Sequence, residues 1–328
     1  MLPFISKKSN TPPAQNGVDP KAEMSADLYS QLSDLVAYRF HVKQKKLAQQ
    51  NNVMSSSSGS NHSQRKGRGM TFSEVRQYQA GDDIRHIDWR VTARTQKAHT
   101  KVFIEEHERP TILVTEQSPT LFFGSQVRLK INQALNLSAI LAWIALNQSE
   151  RVGGLTFNQN HQAWIPPKRS QQTLLHCLQQ SIQLQSEITQ PGQSNPLYWQ
   201  KSLKQLVQVV KPGSKLFLIG DMLQLNGPSL AYIQTLRRHN DVVALHVYDP
   251  LEQQLPELGW LSLTQSFQSE HQLKLDSSRT QTREDYASLY QQQWAQAKAQ
   301  FLKVKVPLFE IGCHENPLES LLRHKVIL

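Results

Sequence analysis

The chain has 328 residues, 38% hydrophobic and 19% charged, which is enough apolar material for a sizeable core in one large domain or two. Thirty-six Lys and Arg against 26 Asp and Glu leave a net charge of +10, which raises nucleic acid, an anionic membrane surface or an acidic protein as partners. Most of the excess lies in one window, residues 41–101, with twelve Lys/Arg and four acids. The longest strongly apolar stretch, Ala134–Leu146, is about 13 residues and holds Asn136 and Ser138; a bilayer span needs ~20, so no membrane span is expected. The opening MLPFISKKSNTPPAQ lacks the apolar run of a secretory signal, and Cys177 and Cys313 are too few for a disulfide framework. The expected setting is a reducing cytosol. No C-x-x-C, H-E-x-x-H, phosphate loop, G-x-G-x-x-G or G-x-S-x-G occurs.

In chain order, residues 1–25 are rich in Pro and polar residues and read as a disordered tail. Apolar positions at Leu28, Leu32, Leu35, Val36, Phe40, Val42 and Leu47 predict a helix over 27–50, with Lys43, Lys45 and Lys46 at its basic end. Residues 51–64 are a Ser/Asn-rich loop. With the basic segment that follows, 26–107 reads as an N-terminal extension. From there the texture changes. The runs 111–115, 215–220 and 242–248 are short and apolar, as in strands covered on both faces. Between them lie a helix apolar nearly all round over 127–146, strands at 151–157 and 163–165, and helices at 171–184, 197–210 and 230–239. A hairpin is expected within 255–277, then a Gln-rich helix over 283–302, a strand over 304–311 and a helix over 317–323. Strands alternating with helices imply a mostly parallel sheet with helices on both faces, so 108–328 reads as one α/β domain.

In such sheets ligands bind beyond the carboxyl ends of strands, where strand order reverses. Three predicted strands run into acids at their ends: Glu116, Asp221 and Asp249. Carboxylates and hydroxyls converging there supply the hard oxygen ligands that Mg²⁺ prefers. The competing reading is that these acids are solvated or cap the next helix.

Residues 67–94, GRGMTFSEVRQYQAGDDIRHIDWRVTAR, carry a G-x-G-x-x-F-x-x-V-R-x-Y segment, then G-D-D-x-R-x-I-D-W and an A-R. This block closely resembles the signature of the bacterial domain-of-unknown-function 58 family. The resemblance implies a von Willebrand factor A-like fold and a MoxR-type AAA+ ATPase as working partner in protein maturation or complex assembly. It also implies a metal-ion-dependent adhesion site, D-x-S-x-S plus a later Thr and Asp, for Mg²⁺ or Mn²⁺. Carried over by position, Glu116 stands where Asp is expected, Ser118 matches, Thr120 replaces the second Ser, Ser194 takes the Thr place and Asp221 matches the later acid. One extra methylene moves the carboxylate by roughly 1–1.5 Å, against Mg²⁺ coordination held near ~2.1 Å. A metal seat and a degenerate, metal-free one both stay open.

Within the signature, Gly81-Asp82-Asp83 is turn chemistry. Arg76, Tyr78, Arg85, Asp88, Trp89, Arg90 and Arg94 follow or flank it, and the mixture of acids, arginines and apolar anchors predicts an internal ion-pair framework with Trp89 packed. Arg65, Lys66, Arg68, Lys97 and Lys101 have no acid nearby in sequence and are left for a partner. Cys177 and Cys313 read as buried fillers, and Ser118 has no neighbouring His in sequence, so no nucleophile is expected. The function this supports is a non-enzymatic protein-interaction module. A nucleic-acid binder using 41–101 is the alternative.

Overall fold

A computed structural model describes residues 4–6, 29–48, 70–105, 109–192, 195–264 and 272–328. The chain forms two compact units, 51–108 on one side and 1–50 with 109–328 on the other. In chain order, the larger unit opens with strand β1 (Phe4–Ser6) and helix α1 (Leu32–His41). The smaller unit holds β2 (Met70–Gln77), α2 (Trp89–Thr95) and β3 (His99–Glu105). The larger unit resumes with β4 (Thr111–Glu116), α3 (Lys130–Asn147), β5 (Val152–Phe157), β6 (Gln162–Lys168), α4 (Gln171–Ser186) and α5 (Pro196–Val209). It continues with β7 (Lys215–Gly220), α6 (Gly227–Arg237), β8 (Asp241–Tyr248) and α7 (Pro250–Gln253). It ends with β9 (Trp260–Thr264), β10 (Gln272–Asp276), α8 (Thr280–Lys303), β11 (Leu308–Gly312) and α9 (Pro317–Arg323).

The central sheet has the order β11-β8-β7-β4-β5-β6. All neighbours are parallel except β5 and β6. The first strand, β4, lies in the middle; the chain builds to one side through β5 and β6, then crosses to the other with β7. The loops after β4 and β7 therefore flank the point where strand order reverses. This is the mixed α/β, Rossmann-like architecture that the alternating pattern predicts.

Because side chains alternate across a strand, the buried runs split cleanly between two cores. Leu113, Phe217, Ile219, Val243, Leu245 and Val247 meet α3 on one face. Ile112, Val114, Leu155, Leu216, Leu218 and Val242 meet Trp199, Leu203 and Leu206 of α5, Ile233 of α6 and Phe301 of α8 on the other. Helix α3 is buried nearly all round, since Leu35 of α1 covers its outer side and the Trp143 indole donates to the Leu35 carbonyl at 2.9 Å. No helix among the described residues is long and apolar enough to cross a membrane.

Several boundaries differ from the sequence expectation. Helix α1 stops at His41, because Val42 leaves helical geometry and is itself buried, and 46–48 pairs through backbone hydrogen bonds with 326–328. That segment therefore belongs to the large unit, not to an N-terminal extension shared with the basic block. Phe4–Ser6, predicted as part of a disordered tail, pairs antiparallel with β9, adding a third strand to the expected hairpin. Helix α8 extends to Lys303, which delays the last strand to Leu308.

In β5, Gly153 and Gly154 are set by close approach. A Cβ on Gly154 would come within 2.6 Å of the Leu113 carbonyl oxygen in the paired strand, and one on Gly153 within 2.5 Å of the Ile165 carbonyl oxygen. Gly154→Ala is expected to destabilise the fold by about 1–3 kcal/mol, the usual cost of overpacking a core that cannot move aside. Equilibrium urea unfolding measures it, and an unchanged midpoint would show that β4 and β5 can separate without penalty.

Candidate site at the switch point of the sheet

Strand β4 ends in Glu116, and the chain then turns through Gln117 and Ser118 into a short 3-10 turn over Pro119–Leu121. Strand β7 ends in Gly220, and Asp221 caps the 3-10 turn over Met222–Gln224 through its bond from the Leu223 amide, 3.0 Å. The two ends are joined by one side chain. Glu116 is 0% exposed; its Oε1 accepts from Ser118 Oγ at 2.6 Å, and its Oε2 accepts from the Asp221 amide at 2.8 Å and the Trp199 indole at 2.9 Å. Trp199 reaches it from the first turn of α5, whose start is set by the Asn195 cap and Pro196. Gly220 is required here, because a Cβ would overlap Glu116 Oε2.

Burial, and then the charge of Asp221, push the Glu116 carboxyl up to about 7, against the pull of the three donors. Asp221 also accepts from Gln224 Nε2 at 2.8 Å. His246, one strand over on β8, lies 3.5 Å from Asp221 Oδ1. This is no ion pair: His246 Nδ1 accepts from the Met222 amide at 3.1 Å, and burial lowers the ring's pKa, so we assign a neutral imidazole with its proton on Nε2. The ring stacks on Trp294 with centroids 5.5 Å apart.

A second polar knot closes the same sheet edge beyond β8 and β11. Asp249 caps α7 through Leu251 N and also accepts from Ser125 N at 2.7 Å, Ser125 Oγ at 2.6 Å and Cys313 Sγ at 3.0 Å. Lys130, 1% exposed at the start of α3, meets Glu252 Oε1 at 2.6 Å, while Glu252 Oε2 accepts from the Asp249 amide at 2.9 Å. Burial works against the Lys130 charge, but Glu252 and then Asp221 outweigh it and hold the ammonium above its ordinary pKa. Burial and Asp249 keep the Cys313 thiol protonated, and burial does the same for Cys177.

Of the residues carried over by position, the structure brings Glu116, Ser118 and Asp221 together. Thr120 is buried nearby in the chain, but its hydroxyl has no hydrogen-bond partner. Ser194 lies outside the described residues. Trp199, His246, Lys130 and Glu252 were not singled out from sequence. Lys130 alone carried a signal, a lone charge opening an otherwise apolar helix.

The signature segment lies in the smaller unit. Strands β2 and β3 pair antiparallel with a bulge between Phe72 and Glu74, and Gly81 turns at φ +110°. Three of the four signature acids, Asp82, Asp83 and Asp88, have local work. Asp82 pairs with Arg76 at 2.7 Å and accepts from the Gln79 amide. Asp83 accepts from the Arg85 amide and stands 3.5 Å from its guanidinium. Asp88 caps α2 through the Arg90 and Val91 amides, and the Val91 bond, then the Lys101 charge and the Arg90 bond, hold its carboxyl below the usual range. Lys101 stands 3.6 Å from Asp88, since strand pairing returns β3 to the helix cap; it is not without an acid, as the sequence suggests. Tyr78 is half-buried. The expectation of a packed Trp89 is corrected: it is 68% exposed, and Ile84 is 65% exposed, because the described residues of this unit, where Thr100 alone of 74–101 is buried, supply no core beneath them. Arg90, Arg94 and Lys97 are exposed as well, and Arg65, Lys66 and Arg68 lie outside the described residues.

Two substitutions separate the charge of Glu116 from its hydrogen bonds. With its folded pKa raised from 4.5 to about 7, its stabilising contribution is full below about pH 4.5 and is lost as pH rises through 7. Glu116→Gln keeps an oxygen for Trp199 and Asp221 and turns an amide toward Ser118, so it should gain on the wild type by up to about 3 kcal/mol between about pH 5 and pH 8. Glu116→Ala strands three donors and should lose about 2–5 kcal/mol at every pH. Urea unfolding across pH measures both; a wild-type-minus-Gln difference that stays flat would refute the buried, ionisable carboxyl.

Comparison with curated proteins finds an uncharacterized protein of Mycobacterium tuberculosis and one of Mycobacterium bovis, each 28% identical over 199 residues. The alignment covers 59% of this chain, and the chain spans 59% of the length of those relatives. Among solved structures, the conserved hypothetical protein BatB from Bacteroides thetaiotaomicron aligns with a TM-score of 0.42 at 13% identity, over 66% of this chain and 97% of that one. Proximal thread matrix protein 1 of the mussel byssus aligns at 0.29 and 12% identity, over 43% of this chain and 38% of that one. The family described as protein of unknown function DUF58 matches residues 74–296, from the signature hairpin through the switch-point acids and into α8, and the chain belongs to that family.

Proposed function

We propose that this chain is a non-enzymatic protein-interaction module of von Willebrand factor A-like design, the working partner of a MoxR-type AAA+ ATPase in protein maturation or complex assembly. The observation that carries this reading is the exposure of the family signature itself: Trp89 and Ile84 stand in solvent with Arg85, Arg90 and Arg94 around them in sequence. Exposed aromatic and arginine side chains are the groups that anchor protein interfaces. The sheet edge supports the same reading. Its carboxylates are spent on capping loops and tying strands, and its thiols stay protonated.

We infer further that the adhesion-site position works without Mg²⁺ or Mn²⁺. Both oxygens of Glu116 and both of Asp221 already accept from protein N–H or O–H groups. Among the described residues no group of three or more His, Cys, Asp or Glu is arranged to hold a metal. A divalent cation at ~2.1 Å would have to compete with these donors at a Glu116 side chain that is 0% exposed, in an arrangement open to further oxygens.

Two measurements test these readings. The tagged chain should retain the ATPase in a pull-down with ATP; failure to do so, alongside DNA binding that weakens steeply with salt, would favour the nucleic-acid alternative. Calorimetric titration with MgCl₂ or MnCl₂ should show no binding heat up to millimolar concentration. Saturable binding that Glu116→Gln abolishes would restore the metal seat.

A further inference from the structure

The geometry points to the outer face of α2 as a docking site for an acidic protein segment that carries an apolar side chain. This rests on the interaction-module reading and names the chemistry of the partner and the face that meets it. At about 100° per residue, Trp89, Ala93, Arg90 and Arg94 fall on one continuous side of the helix. All four are exposed, while Val91 and Thr92 on the other side are half-buried and the Thr92 hydroxyl accepts from the His99 amide at 3.0 Å. The face is held in place by the Asp88 cap and by the ion pair of Asp88 with Lys101. The preceding turn adds exposed Ile84 to the same unit.

Among the described residues of the small unit, none buries this face. Of residues 74–101, Thr100 alone is buried. A tryptophan therefore stays in water on an element fixed by a cap and a hairpin, which costs the unit stability and prepares an anchor for a partner. The charges choose that partner. Asp82, Asp83 and Asp88 are engaged with Arg76, Arg85 and Lys101, so among the described residues Arg90 and Arg94 carry the cationic character of the face. Guanidinium groups one helical turn apart beside an indole suit carboxylates flanking an aliphatic or aromatic side chain. A single-stranded nucleic acid fits less well, because its platforms stack successive bases on several aromatics, and this face offers one.

The test uses the full chain and a fluorescein-labelled peptide of about twelve residues in which Glu and Asp flank one central Leu. Fluorescence anisotropy should show binding that weakens with added salt. Trp89→Ala and the double variant Arg90→Glu/Arg94→Glu should each weaken it about tenfold or more. The same peptide with Lys in place of its acids should bind the double variant more tightly than the wild type, a gain that misfolding does not produce. Equal peptide affinity in wild type and both variants would overturn the proposal. So would a labelled oligonucleotide of about 20 bases that binds more tightly than the peptide and loses affinity in the same variants. ATPase capture by wild type and double variant alike would overturn this face and leave the interaction module standing. Peptide binding lost in the variants, with no ATPase captured by the wild type, would support the face and refute the ATPase as its partner.

Discussion

Glu116 ends the central strand of the sheet wholly out of solvent, where a carboxylate is costly unless its oxygens are hydrogen-bonded. The fold engages them from three directions: Ser118 in the loop after β4, the Asp221 amide after β7, and the Trp199 indole on α5. The two strands on either side of the topological switch and the helix packed below them are thereby tied at one point. Other features follow from that tie. Position 220 must be glycine for the carboxylate to fit, and Trp199 must hold its indole nitrogen toward the strand ends while its ring packs edge-on against Phe157 at 4.9 Å.

The neighbouring knot solves the same problem with opposite charges. Lys130 is as buried as Glu116, and it stays charged because Glu252 meets it directly and Asp221 adds to the field. Asp249 and Glu252 form a reciprocal cap at the start of α7, which leaves Glu252 Oε1 for the lysine. Burying ions seldom adds net stability, but removing one partner of such a set is costly, so the arrangement favours a single conformation of the loops. The carboxylates of this edge are spent within the protein, whereas Gln117 Oε1, Thr120 Oγ1, Gln224 Oε1 and His246 Nε2 are buried there without a hydrogen-bond partner.

The small unit is built on a different principle. It has a hairpin, a capped turn and acid–base ties at short sequence distance, and almost no buried side chain among residues 74–101. Local hydrogen bonds fix its shape, and hydrophobic burial is left undone at Trp89 and Ile84. The basic excess of the sequence looks different in that light. Arg76, Arg85 and Lys101 are matched by signature acids, and of the other described arginines of the signature Arg90 and Arg94 share one helical face.

Hydrophobic period and turn chemistry were enough to read the large unit. The largely apolar runs at 111–115, 215–220 and 242–248 are parallel strands, the largely apolar 127–146 holds the central helix, and strand-end acids point to the reversal of strand order. These features are local, and local sequence determines them. Tertiary structure alone decided which side chains reach those acids. Trp199 is 83 residues from Glu116 and His246 is 24 from Met222, and no periodicity announces either meeting. It also decided that each carboxylate oxygen of Glu116 and Asp221 meets a protein donor, because lone-pair use depends on where N–H and O–H groups arrive. Trp89 looked like a core residue by type; it stands outside because the unit that carries it is too small to bury it.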